Sequence, residues 1–150
     1  MGTRVSPEIA LSALLYALAT GHPDAALIKQ YADSAKVPPV LAWALVATES
    51  GHGANNHARG KHGEVGRMQL RRFHAGRFSA RCGSLPLTDY RTNLCVGLHL
   101  LRSHYEAAGS WPLAVRRYNG SGVATLTYLG KVEREVGAIT MRLMNGGNEP

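Results

Sequence analysis

The 150-residue sequence lacks any run of about 20 apolar residues, the length that a membrane-spanning helix requires. Acidic residues are also few, since 10 Asp and Glu stand against 17 Lys and Arg, which gives a formal net charge of +7. This balance indicates a polyanion or an anionic surface as the partner: nucleic acid, acidic lipid or the bacterial cell wall. The 45% of hydrophobic residues excludes disorder and predicts a single domain with its own core.

Cysteine is scarce as well, with only Cys82 and Cys95 in the chain. The two thiols would form a disulfide if the protein works outside the cytoplasm and would stay reduced inside it. A pair of cysteines therefore leaves both the disulfide and the compartment open.

The apolar segment at residues 9–20 has two interpretations. It imitates the core of a secretory signal, but it is preceded by few cations. Ser6 and Pro7 in front of it favour a helix, with Ser6 as the N-cap and Pro7 as the first helical residue. We expect a helix here, as part of an N-terminal extension that spans residues 1–26.

Helical periodicity covers most of the remaining chain and is interrupted by short Gly and Pro breaks and a glycine-rich stretch at 51–66. Pro38 and Pro39 end one helix and begin the next, and Gly51 ends that helix. Ser110 begins a short helix that ends at Gly120. The pattern predicts a mainly α domain of about six to seven helices over 27–145, with a glycine-rich loop or small β element, and a flexible tail at 146–150.

Glu49 breaks two local rules in the third of these helices. With Leu41 and Leu45 it stands on one face at four-residue spacing, so a carboxylate ends an apolar stripe. It also lies near the negative end of the helix dipole. Both effects favour the protonated acid, and burial can raise a glutamate pKa from about 4.3 to about 6, where it can act as a general acid.

Four segments stand out in the order of the chain: Val37-Pro38-Pro39 with the helix ending in Glu49-Ser50; Gly63-Glu64-Val65-Gly66-Arg67-Met68-Gln69; Asn93-Leu94 with Gly97; and Tyr118-Asn119-Gly120. Together they resemble the motifs of the soluble-type lytic transglycosylases, enzymes that cut peptidoglycan on a lysozyme-like α-helical fold. Each segment alone is weak, but their order and spacing both fit the family. The resemblance covers residues from about 27 to about 132.

The resemblance implies a glycosidase that acts on the β-1,4 bond between N-acetylmuramic acid and N-acetylglucosamine. Glu49 would protonate the leaving oxygen and then take the proton from the sugar's C6 hydroxyl, which closes a 1,6-anhydro ring. No water is needed, because the nucleophile belongs to the substrate.

The other motif residues take supporting roles by the same resemblance. Ser50, Met68, Gln69 and Asn119 would contact the sugars, and Tyr118 would point its hydroxyl at Glu49. Each has a plain structural alternative: Ser50 as a helix-end polar group, Met68 as packing, Gln69 as a turn residue, Tyr118 as a core residue with a satisfied hydroxyl, and Asn119 as a turn former before Gly120.

Glu64 occupies the position at which C-type lysozymes and some secretion-associated transglycosylases carry an Asp as second carboxylate. If it faces Glu49 across the cleft, it stabilises the oxocarbenium ion or acts as a nucleophile, and a lysozyme-type hydrolase becomes the alternative. Arg67 and Arg117 depart from the family's Leu and Ala. They either contact carboxylates of the peptide stems or are solvated.

Two further interpretations compete with this enzyme. The first is a metal site at His52, His57 and His62, but a spacing of five residues fits neither a helical pair nor a zinc knuckle. The second is a nucleic-acid-binding module, suggested by a basic stripe without any known recognition motif. Its members are Arg67, Arg71, Arg72, Arg77 and Arg81.

We therefore expect no cofactor and no metal, peptidoglycan strands as the substrate and nucleic acid as an unlikely partner. Small enzymes of this type are typical of phages and of conjugation or secretion systems. We expect action in the periplasm or at the cell wall, with delivery by a virion or a secretion apparatus because the signal peptide is unconvincing.

Overall fold

The computed structural model describes residues 6–22, 24–52 and 55–146. Outside these ranges lie residues 147–150 of the tail predicted at 146–150, positions 1–5 and 23 of the predicted extension, and positions 53–54 of the glycine-rich stretch. Eight helices lie within them, two of them short: α1 (Pro7–Thr20), α2 (Ala25–Ala35), α3 (Pro39–Ser50), α4 (Phe73–Arg77), α5 (Ser79–Cys82), α6 (Tyr90–Ala108), α7 (Trp111–Asn119) and α8 (Ala124–Met144). The mainly α prediction is confirmed, and the two short helices account for the larger number.

The helix ends follow the local signals of the sequence. Pro39 begins α3, and Gly51 ends it with φ 75°, a backbone conformation that favours glycine. The Ser110 hydroxyl accepts a hydrogen bond from the Leu113 amide at 3.3 Å and caps α7. Asp89 caps α6 in the same way, through the Thr92 amide at 3.0 Å.

Helices α3 and α6 form the centre of the core. Residues 42–47 of α3 and residues 92–101 of α6 are buried without interruption. A helix that is apolar all round has to be enclosed by neighbours. Accordingly, α3 packs between α2 and α8, and α6 packs against α2, α7 and the two short helices.

Helix α1 packs against α2 and α8. Its buried side includes Ala13 and Tyr16, whose ring meets that of Trp43 edge to face with the centroids 6.0 Å apart. Among the described residues, no helix is both long enough and apolar enough to cross a bilayer.

The segment between α3 and α4 folds back on itself through two isolated antiparallel bridges, Arg59 to Val65 and Val65 to Leu70. The buried side chain of Asn93 in α6 anchors it. Asn93 Oδ1 accepts from the Met68 amide at 2.9 Å, and Nδ2 donates to the Val65 carbonyl at 3.0 Å. These hydrogen bonds therefore attach the loop to the core of the protein.

Two glycines permit this close approach. A Cβ on Gly66 would lie 2.8 Å from the Leu87 carbonyl oxygen and against the Asn93 amide. A Cβ on Gly97 would lie 2.8 Å from Cε of Met68, whose side chain is fully buried. The Asn93 and Gly97 motif thus holds the loop rather than a ligand.

A disulfide joins Cys82 of α5 to Cys95 of α6, with the Cα atoms 5.6 Å apart. The choice that the sequence left open is therefore resolved in favour of a covalent link. It fixes the segment that contains α4 and α5 to the central helix.

Candidate active site

A cleft of about 510 Å³ opens between the end of α3, the anchored loop, α4, α6 and α7. Five residues proposed from the sequence line it together, although they come from three separate segments. They are Glu49, Glu64, Gln69, Tyr118 and Asn119. Ser50 and Met68 are not among its lining residues.

Ser50 and Met68 serve the structure instead. The Ser50 hydroxyl donates to the Val46 carbonyl one turn earlier, at 3.2 Å. The predicted contact of Met68 with the substrate is wrong, because its side chain is fully buried. Met68 packs against Gly97 and supports the loop from below.

Glu49 lies in the last turn of α3, directly after the buried run at 42–47. Burial raises its pKa from 4.5 to about 7, and the negative charge of Glu64 adds to that rise. A hydrogen bond from Tyr128 opposes it by stabilising the ionised form. A carboxyl group in this balance gives up and takes back a proton near neutral pH.

Tyr128 of α8 is the residue that sequence reasoning missed. Its hydroxyl donates a short hydrogen bond to Oε1 of Glu49. Tyr128 is buried and lies four residues before the buried Val132, so the pattern marks it as packing. The signal that could have indicated its role is chemical, because a buried tyrosine hydroxyl needs a polar partner. The packing of α8 on α3 makes Glu49 that partner.

The predicted bond from Tyr118 to Glu49 is wrong. The Tyr118 hydroxyl donates instead to the Met68 carbonyl at 2.7 Å. Burial, and then the charge of Glu49, raise the pKa of the Tyr118 phenol, so the two side chains are within electrostatic reach. Tyr118 therefore positions the loop beside the acid.

Glu64 presents a second carboxylate to the cleft. Its Oε2 accepts the His62 amide hydrogen at 3.0 Å. Hydrogen bonds from its own amide and from that of His62 lower its pKa, with help from the charges of His62 and Arg71. The pKa values of the two carboxyl groups of the cleft are therefore shifted in opposite directions. Glu49 is suited to act as the acid and Glu64 as the anion.

Gln69 has a backbone φ of 50°, unusual for a residue with a side chain. Its Nε2 donates to the Ala58 carbonyl at 3.1 Å and to the Gly66 carbonyl at 2.8 Å. The amide hydrogens are thus used within the loop. The side-chain oxygen lies beside Gly60, where an added Cβ would come within 2.8 Å of it, and it is the part of the amide that remains for a ligand.

Several cleft residues were not proposed from the sequence as site residues. Phe73 is an exposed aromatic, with 68% of its surface accessible, and its ring stands 4.1 Å from that of His74. Lys61, Arg71 and His104 also line the cleft. These residues follow none of the motifs, so only the folded chain brings them together.

Arg67 and Arg117, the two cations that depart from the family pattern, lie in different environments. Arg117 is exposed and lines the cleft. Arg67 is neither solvated nor available to a peptide, because only 2% of it is accessible. Its Nη2 pairs with Asp24 at 2.7 Å, and its guanidinium stands 4.5 Å above the Tyr90 ring.

The basic stripe of the nucleic-acid alternative does not form. Arg67 is buried, Arg71 faces the cleft, and Arg72 borders a second cavity. Arg77 stacks on Phe78, and Arg81 approaches His99 at 3.4 Å. Arg67 is therefore not available to a nucleic acid, and the other four arginines have different neighbours.

The histidines of the glycine-rich stretch take separate roles. His52 Nε2 meets a Glu135 oxygen at 3.2 Å, and His62 borders the cleft. Within the described ranges, the one cluster with the spacing of a metal site is Cys82, Cys95 and His99, and the disulfide already uses both sulfurs.

The helical fold and its open cleft are those of a class of enzymes that cut the glycan strands of peptidoglycan. Residues 26–138 match the family described as the Transglycosylase SLT domain. The chain therefore belongs to that family and has its lysozyme-like fold; it is a peptidoglycan lytic transglycosylase, and the resemblance drawn from the four motifs is confirmed. The curated proteins and the solved structures contain no match to this chain.

Proposed function

We propose that the enzyme cleaves the β-1,4 bond between N-acetylmuramic acid and N-acetylglucosamine with Glu49 as the general acid and base, and leaves 1,6-anhydro ends. The observation that carries the proposal is the place of Glu49 in the lining of the cleft, where burial raises the pKa of its carboxyl group to about 7.

In the first step, Glu49 donates its proton to the glycosidic oxygen, and the bond to the anomeric carbon breaks. The sugar passes through an oxocarbenium-like state whose positive charge faces two anions, the new Glu49 carboxylate and Glu64. The Tyr128 hydroxyl stabilises the Glu49 carboxylate at this moment, because it already donates to Oε1.

In the second step, the C6 hydroxyl of the same sugar attacks the anomeric carbon and gives its proton to Glu49. The ring closes, Glu49 is neutral again, and no water has been consumed. Gln69, Asn119 and Phe73 border the space in which the sugars would lie. Phe73 offers an exposed ring face to a sugar.

Lysozyme-type hydrolysis is the second candidate, favoured by the ionised Glu64 in the same cleft. There Glu64 acts as nucleophile or as a partner for the cation, and water completes the reaction. Mass spectrometry of digested sacculi separates the two, since an anhydro end is lighter than a hydrolysed end by one water. Anhydro ends support the transglycosylase, and hydrated ends alone replace it with the hydrolase.

We also propose action in the periplasm or at the cell wall, with delivery by a virion or a secretion apparatus. The substrate class supports the location, and so does the Cys82 to Cys95 disulfide, which oxidising compartments favour. Fractionation of the cells in which the enzyme acts tests the location. Recovery from the cytoplasm alone, with both cysteines open to thiol labelling, would contradict it.

A further inference from the structure

The cleft is lined by four basic side chains, which come from three helices and from the turn before α4. Arg71 follows the anchored loop, His74 belongs to α4, His104 to α6 and Arg117 to α7. These four residues are called the cationic wall below. Lys61 adds a further cation to the lining of the cleft.

The four side chains of the cationic wall are close enough to influence one another. Burial lowers the pKa of His74, and the charges of Arg77, His104 and Arg71 lower it further. Burial also lowers the pKa of His104, with Arg77 and then Arg117 contributing. These side chains therefore lie within electrostatic reach of one another, and the two histidines are uncharged at neutral pH.

Neither arginine of the cationic wall takes part in a salt bridge among the described residues, and both are exposed. Glu64 is an anion within longer electrostatic reach of Arg71, and Glu49, with a pKa of about 7, carries only part of a negative charge at neutral pH. With Lys61 added, the lining of the cleft therefore holds more positive than negative charge.

A neutral sugar chain gives no reason for this excess. The glycan backbone is uncharged, and charge enters peptidoglycan through the lactyl group of each muramic acid, as a free carboxylate or as a peptide with carboxylates. Guanidinium groups bind carboxylates through paired, charge-assisted hydrogen bonds. Two guanidinium groups on separate segments, Arg71 and Arg117, suit a substituent with more than one carboxylate.

Resting on the proposed function, we infer that the cationic wall binds carboxylate groups on the lactyl substituent of muramic acid and selects strands that carry them. Arg117 precedes Tyr118, which lies within reach of Glu49, so one end of the wall is close to the reacting bond. The other end, at Arg71, lies beside Glu64. Bound carboxylates would then fix the register of the strand over the acid.

The test compares two double variants with equal loss of charge. The wall variant is Arg71→Gln with Arg117→Gln. The control variant is Arg72→Gln with Arg91→Gln, two exposed arginines that do not line the cleft. Both are made in the Glu49→Gln protein, so that binding is measured without turnover.

Three probes distinguish the source of the carboxylate: strands with peptides, strands stripped by an amidase so that only the lactyl carboxylate remains, and an uncharged N-acetylglucosamine oligomer. We expect the affinity ratio of peptide-bearing strands to the oligomer to fall about tenfold in the wall variant and to stay unchanged in the control. Raising NaCl from about 0.05 to about 0.3 M should weaken binding less in the wall variant.

A loss on peptide-bearing strands alone assigns the wall to the peptide, and an equal loss on stripped strands assigns it to the lactyl carboxylate. Equal ratios in the wall and control variants, in folded proteins, would overturn the inference. If the unmodified enzyme cleaves sacculi in that case, only the wall is refuted. If it neither binds nor cleaves any strand, the proposed function fails.

Discussion

Tyr128 donates its hydroxyl hydrogen to Oε1 of Glu49 from the opposite helix, 79 residues farther along the chain. The bond opposes the effect of burial, because it stabilises the ionised carboxylate while burial destabilises it. Glu49 therefore has a pKa of about 7 rather than a higher value, and both of its protonation states are accessible during one turnover.

Replacing Tyr128 with Phe should move the pH profile of the enzyme. Loss of a hydrogen bond that favours the ionised acid raises the Glu49 pKa further, by about 1 unit. The alkaline limb of kcat/KM, where the acid loses its proton, should shift to higher pH, and kcat should fall because the carboxylate formed in the first step is less stable. Turbidity assays of sacculi across pH measure both.

Tyr105→Phe provides the matched control for that experiment. Tyr105 lies on α6 and stacks on Trp111, with the ring centroids 4.0 Å apart, and does not line the cleft. Its profile should match that of the unmodified enzyme. An alkaline limb that stays in place in Tyr128→Phe, or moves to lower pH, would refute the tuning role.

The two cleft carboxylates should respond differently to the same substitution. Glu49→Gln should abolish lysis of sacculi, since an amide cannot transfer the proton. Glu64→Gln should reduce lysis only in part, because it removes a supporting charge. Glu133→Gln, an exposed position on α8, is the control and should retain full activity. Wild-type lysis by the Glu49 variant would remove the central assignment.

Glu49 should also make the fold less stable as the pH rises. Its pKa is higher in the folded protein, about 7 against 4.5, so the folded state binds more protons than the unfolded state between those values. Stability is therefore lost as pH rises through this window, by a full amount on the order of 3 kcal/mol. Glu49→Gln does not titrate and should escape the loss.

Urea unfolding at about pH 5 and about pH 8 checks this linkage. The stability gained by Glu49→Gln over the unmodified protein should be larger at the higher pH. A gain of the same size at both values would show that the folded state does not hold the proton.

The sequence was sufficient for most of the fold because its signals are local. Pro39 and Gly51 delimit α3, and Ser110 begins α7, without reference to distant residues. The acid itself was also recognisable, because Glu49 continues a stripe of apolar residues on its own helix. Position on a helix is a property that neighbours in sequence determine.

Contacts between distant segments could not be predicted from such local signals. The family resemblance placed Tyr118 against Glu49, but the packing of α8 on α3 brings the Tyr128 hydroxyl to the acid instead. Arg67 was misread for the same reason. Its partner Asp24 lies 43 residues away, and no residue near Arg67 in the sequence indicates a buried ion pair.

Two glycine substitutions should have opposite effects on stability. Gly97→Ala places a methyl group 2.8 Å from Cε and 3.0 Å from Cβ of Met68, so α6 or the loop has to shift. We expect a loss of about 1 to 3 kcal/mol. Gly137→Ala on α8 meets nothing within 4 Å and should gain up to about 1 kcal/mol, since alanine favours a helix. Thermal unfolding measures both, and a loss in both variants would contradict the packing account.

The disulfide should contribute to stability mainly through the unfolded chain. It closes a loop between Cys82 and Cys95, 13 positions apart, and so removes conformational freedom from the unfolded state. Replacing both cysteines with Ser should lower the free energy of unfolding by about 3 kcal/mol.

The bond joins α5 to α6, and α5 directly follows α4, which lines the cleft. The loss of the bond should therefore be accompanied by weaker binding of glycan strands. Urea unfolding of the variant, and of the unmodified protein with and without a reductant, measures the first effect. A reductant that leaves the unfolding midpoint of the unmodified protein unchanged would mean that the two thiols are not paired.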